Sequence, residues 1–75
     1  MDARLSKLAE LREELSSVWK GIEGTALESR FAEVIKFNCD PSVLNPFGIT
    51  GEDVCRVVSP ALSTRGVQVL KETLG

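Results

Sequence analysis

DARLSKLAELREELSSVWKGI, residues 2–22, is the stretch whose reading decides the fold. Leu5, Leu8, Leu11, Leu15, Val18, Trp19 and Ile22 recur at about 100° per residue and form one apolar stripe about 140° wide. Lys7, Glu10, Glu13, Glu14 and Lys20 occupy the opposite face. Asp2 can cap the start of this helix, and Gly21 or Gly24 suits a left-handed stop. Leu8, Leu11, Leu15, Val18 and Ile22 also read as alternating a and d positions of a heptad, the pattern of a coiled coil.

Working outward, Thr25-Ala26-Leu27-Glu28 matches a capping box and predicts a second helix over about Ala26 to Phe37. Leu27, Phe31, Val34 and Ile35 make its apolar stripe, with Glu28, Ser29, Glu33 and Lys36 outside. The short Gly21–Gly24 link makes an antiparallel helical hairpin the natural arrangement. Asp40-Pro41 starts a single helical turn through Leu44, and Asn45-Pro46 ends it. Val43, Leu44 and Phe47 are expected to fold back over the core. Thr50-Gly51-Glu52-Asp53 opens a third helix, with Ile49 and Val54 at staple spacing. A fourth runs from Leu62 to Leu74, capped by Ser59 before Pro60 or by Ser63 before Thr64. Val54, Val57, Val58, Val67 and Val69 are β-branched, so a C-terminal hairpin of strands competes with the two helices that the caps favour.

Seventy-five residues allow one domain, 1–75, and about 60% of the unfolded chain's surface can be buried at that size. With 43% hydrophobic and 27% charged residues, the chain has the composition of a packed fold rather than a disordered one. The expectation is an all-α domain, an N-terminal hairpin plus two short C-terminal helices, completed by dimerisation. The reason is supply and demand: a hairpin partner and a valine-rich tail cover one side of a wide stripe, and domains this small often self-associate. Leu5, Leu8, Leu11, Leu15, Val18, Trp19 and Ile22 would then be the interface, with Trp19 as its anchor.

Several function classes fall away. The chain has no histidine, so it lacks Ser/His and Cys/His nucleophile pairs and any imidazole acid–base group. Its six glycines are scattered, and none forms a phosphate-binding loop with a Lys-Ser/Thr step. Catalysis and cofactors are not expected. Cys39 and Cys55 are too few for a disulfide scaffold and not spaced as CxxC; without histidine one chain has too few soft ligands for tetrahedral zinc unless two chains contribute two cysteines each, so they read as reduced, partly buried thiols. No apolar run spans a membrane or serves as a secretory signal, so a cytoplasmic protein without a membrane partner is expected. The first helix, with its Asp2 cap, carries four positive and four negative residues, which argues against a membrane-surface role.

Leu62-Ser63-Thr64-Arg65-Gly66-Val67-Gln68-Val69-Leu70-Lys71 resembles the turn and recognition helix of helix-turn-helix DNA-binding domains. The resemblance implies that Arg65, Gln68 and Lys71 share a face that reads base edges. Duplex RNA bound by a helical dimer through Arg30 and Lys36 is a related reading. A net charge of −2 supplies no general attraction for a polyanion. Asn45-Pro46-Phe47 resembles the NPF tripeptide bound by EH domains. The first expectation is therefore a non-catalytic interaction or oligomerisation module, and the second a small nucleic-acid-binding regulator.

Overall fold

The computed structural model describes residues 2–75, and among them it contains helices and no strand. The α-helices are α1 (Ala3–Ile22), α2 (Phe31–Asn38), α3 (Pro41–Leu44), α4 (Gly51–Val58) and α5 (Thr64–Leu74). Short 3-10 turns occupy Ala26–Arg30, Asn45–Phe47 and Ser59–Ala61. Where strands competed with helices at the C-terminal end, helices form. Thr50 Oγ accepts from Asp53 N–H while the Asp53 carboxylate accepts from Thr50 N–H, a complete capping box. The four-residue spacing then puts Val54 and Val58 together on the buried face of α4.

The other caps are equally local. Asp2 accepts from Arg4 N–H at 2.9 Å and starts α1. Asp40 accepts from Ser42 N–H at 2.9 Å and starts α3, with Pro41 in the first turn. The expected box at Thr25 is displaced by one residue. Thr25 Oγ accepts from Leu27 N–H, and Glu28 reaches past Thr25 to the Gly24 amide at 2.6 Å. The segment therefore begins as a 3-10 turn over Ala26–Arg30, and regular α-helix starts only at Phe31. Gly24, at φ +80°, supplies the left-handed residue that reverses the chain; Gly21 does not.

A helix of twenty residues is about 30 Å long, so α1 can lie only along the 37 Å axis of the 37 × 20 × 15 Å molecule. The closest packing is of α1 on α4 and of α2 on α5, with α2 making a lesser contact to α1. The expected hairpin partner therefore covers only part of the stripe. The rest is covered by α4 and by the corner after α2, through Leu44 and Ile49. Leu8, Leu11, Leu15 and Trp19 are each 3% exposed or less, sealed by their own chain. These four residues are core, which corrects their assignment to a partner interface. Val18 and Ile22 are half-buried against the same core, and Leu5, at 59% exposed, lies outside it.

Trp19 fixes the upper half of the core. Its ring lies 4.8 Å from that of Phe31, tilted by 39°, and its indole N–H donates to Ser63 Oγ at 2.9 Å. Ser63 is the N-cap residue of α5, but its side chain makes no cap bond and serves the indole instead. A Cβ at Gly66 would sit 3.0 Å from two indole atoms and 3.2 Å from Leu62 Cβ. Glycine is therefore required where helix propensity alone favours alanine. Phe47 departs from expectation: it is 36% exposed in the 3-10 turn, with Lys7 Nζ 5.8 Å from its ring centre, and does not close the core.

Two outcomes are expected from this packing. Gly66→Ala should cost about 1–3 kcal/mol in overpacking against a gain of about 1 kcal/mol in helix propensity, a net destabilisation of up to about 2 kcal/mol. Urea unfolding followed by Trp19 fluorescence measures the sign. The second concerns Asp53, whose carboxyl is held below its ordinary value of 3.8 by the Thr50 N–H and by Arg4, 2.9 Å away. A depressed carboxyl stabilises the fold above its unfolded value, and the contribution is lost as pH falls through the folded one. The stability gap between wild type and Asp53→Asn should be constant near neutrality and shrink below about pH 4.

Candidate functional site

The core consumes most of the apolar side chains, and what it leaves out marks the surface of interest. α2 buries Phe31 and Ile35 completely. Phe37 lies about 200° around the helix from Ile35 and stands 82% exposed. It forms one wall of an open groove of about 470 Å³, shared with Lys7, Asn38, Asp40, Ser42 and Val43. Lys7 connects this groove to Phe47 through its cation–ring contact. Three elements build the place: the first turns of α1 supply Lys7, the last turn of α2 supplies Phe37, and α3 with its cap supplies Asp40, Ser42 and Val43.

The electrostatics of the groove are mixed. The Lys7 side chain is mostly covered, and its ammonium lies 3.2 Å from the exposed Glu10 carboxylate. Asp40 accepts from both the Ser42 hydroxyl, at 2.7 Å, and the Ser42 amide, and these bonds hold its carboxyl below the usual aspartate value. Asp40 is therefore an anion at neutral pH. A cation and an anion thus flank an exposed aromatic ring.

Two further hollows lie elsewhere. One, of about 520 Å³, has an apolar floor of Cys39, Leu44, Ile49 and Leu74 with Lys36 on its wall. Burial pushes the Cys39 thiol up to about 11, so it carries no thiolate at neutral pH and is not a nucleophile. Burial also raises the Cys55 thiol. The other hollow, of about 530 Å³, contains Glu28 and Arg65. Here Arg65 pairs with Glu28 at 2.7 Å, and the same carboxylate holds the Gly24 amide. The pair fastens the chain reversal after α1 to α5.

The polar residues expected to face a nucleic acid are distributed as follows. Arg65, Gln68 and Lys71 all project from the exposed side of α5, but Arg65 is engaged by Glu28 and Gln68 donates to Glu72 at 3.4 Å. Arg30 ends the first 3-10 turn and Lys36 lies on α2; both are exposed, and neither forms an ion pair among the described residues. No group of three or more Cys, Asp or Glu side chains positioned to hold a metal occurs among the described residues. No helix among them is long and apolar enough to cross a membrane.

Sequence reasoning missed Phe37 and Lys7. The signal was present in the helical wheel, because Phe37 is the one large apolar residue of the second helix that its apolar stripe leaves out. The distinction between core and surface has a measurable consequence. Leu15→Ala should cost about 2–5 kcal/mol of stability, whereas Phe37→Ser should change it by no more than about 0.5 kcal/mol. Paired urea titrations check both.

No protein-family model matches the chain, and no curated protein or solved structure matches it significantly. Its function is read from the surface that the fold leaves open.

Proposed function

We propose that this chain is a non-catalytic protein-interaction module whose docking surface is the groove edge formed by Phe37, Val43, Phe47 and Lys7. The observation that carries this reading is the 82% exposure of Phe37 beside an open groove in a domain whose core is otherwise closed. Exposed leucines occur singly at Leu5 and Leu27, which is ordinary for a protein surface. An aromatic ring flanking a concave surface, with a second ring and a cation alongside, is instead the composition found at the centre of binding patches. The partner is received at the α2–α3 corner rather than on the α1 ridge. Substituting Leu11 or Leu15 tests folding and not association, because both side chains lie in the core.

The site makes contact by apolar burial, about 25 cal/mol for each Å² removed from water before the costs of association. Lys7 favours partners that bring a carboxylate or an aromatic edge to the same place. An anionic aromatic probe tests the surface without a known partner. At chain concentrations low enough that no second copy competes for the groove, 1-anilinonaphthalene-8-sulfonate should bind wild type with enhanced fluorescence, and amide shifts should map its contact to residues 37–43 and 47. Phe37→Asp should abolish the enhancement without lowering the unfolding midpoint. Lack of binding, or binding unchanged by Phe37→Asp, would overturn the assignment.

A further inference from the structure

We infer that the occupant of this groove is a second copy of the same chain, seated about a twofold axis so that each Phe37 enters the other protomer's groove. The inference rests on the reading of the groove as a docking surface and adds the identity of the partner. A twofold interface places one patch against itself, so the patch must be complementary to its own copy in shape and in charge. This one carries the elements that both kinds of complementarity need. It presents a projecting ring, Phe37, directly beside a hollow. It also carries one cation and one anion, Lys7 and Asp40, on the walls of that hollow. Across a twofold axis, Lys7 of each protomer meets the partner's Asp40, forming two equivalent bridges. A partner of uniform charge would satisfy one of these groups and repel the other.

The bonds already made by Asp40 leave its role open to a partner. One carboxylate oxygen, Oδ1, takes both bonds from Ser42. The other oxygen accepts no hydrogen bond among the described residues and is free for an ammonium from outside. Lys7 is held near the groove by Glu10 and by the Phe47 ring, and needs little ordering to meet a carboxylate.

Sedimentation equilibrium over a range of chain concentrations tests the inference. For wild type, the mean mass should rise with concentration towards twice that of the chain, and Phe37→Asp should remain monomeric. Lys7→Glu and Asp40→Lys should each weaken self-association by about tenfold or more, because each places like charges across both bridges. Mixing these two variants should restore association as a heterodimer. The introduced carboxylate of one chain then faces the introduced ammonium of the other, and the second bridge keeps its native Asp40 and Lys7. Asp40 also caps α3, so helicity and Trp19 fluorescence are checked first. If Asp40→Lys does not fold, Asp40→Asn keeps the cap acceptor, and its dimerisation should lose the salt dependence seen in wild type.

Three results would overturn the inference: a wild type that stays monomeric at millimolar concentration, a dimer that Phe37→Asp leaves intact, or charge variants that do not recover on mixing. If the wild type is monomeric while the naphthalene probe still requires Phe37, a different protein occupies the groove and the docking surface stands. If the probe ignores Phe37, the docking surface itself is misassigned.

Discussion

Trp19 is the side chain on which the rest of the arrangement depends. It sits near the end of α1, stacks on Phe31 at the start of α2, and donates its N–H to Ser63 at the start of α5. One residue thereby joins α1 to α2 and to α5, the last contact spanning 44 residues of sequence. An indole buries more apolar surface than any other side chain, but its N–H requires a partner once water is excluded. Ser63 meets that requirement at the expense of capping its own helix. Gly66 meets the steric one by offering no Cβ to the ring. Two features of α5 that weaken it as an isolated helix are thus consequences of a single buried ring.

What was legible in the sequence was the part decided by neighbours along the chain. Asp2, Asp40 and Thr50 start helices because each bonds an amide two or three residues away. Pro46, which has no N–H to continue the α-helical ladder, turns the end of α3 into the 3-10 turn Asn45–Phe47 that left-handed Gly48 closes, while Asn45 itself stays helical at φ −57°, ψ −41°. These effects act over one turn and need no knowledge of the fold. Thr25 was harder to read, since its box is displaced to Gly24 by a reversal that Glu28 shares with Arg65 of α5. The long-range ion pair is invisible in the local pattern. The same holds for Phe47, whose exposure depends on how the Asn45–Phe47 turn leaves the corner.

The expectation that α1 has apolar surface to spare failed for a geometric reason. It took the hairpin partner and the valine-rich tail to cover only one side of the stripe. In the structure the helices interleave: α1 packs chiefly on α4, and α2 on α5. α1 therefore has cover from α4 as well as α2, and Leu8, Leu11 and Leu15 belong to one core with residues of both. Val54, Val58, Leu44 and Ile49, counted in the sequence as tail and corner, are full members of this core. Total apolar content was sufficient; its distribution among the helices could not be read from spacing.

Closing the core within one chain changes what association can mean for this domain. The core side chains are covered within one chain, so the contact proposed at the α2–α3 corner is not needed to seal them. A patch built on one exposed ring and a shallow groove lies towards the small end of specific interfaces, below about 1,200 Å² in total. Such contacts are strong only when little is lost in ordering them. Here the fold contributes directly. Phe37 is on the last turn of a helix whose first residue, Phe31, is locked against Trp19, so the ring is carried on a fixed backbone. Asp40 is held by Ser42, and Lys7 by Glu10 and Phe47. The constraint that seals the core also pre-sets the geometry of the exposed edge, which is what the proposed docking requires of so small a surface.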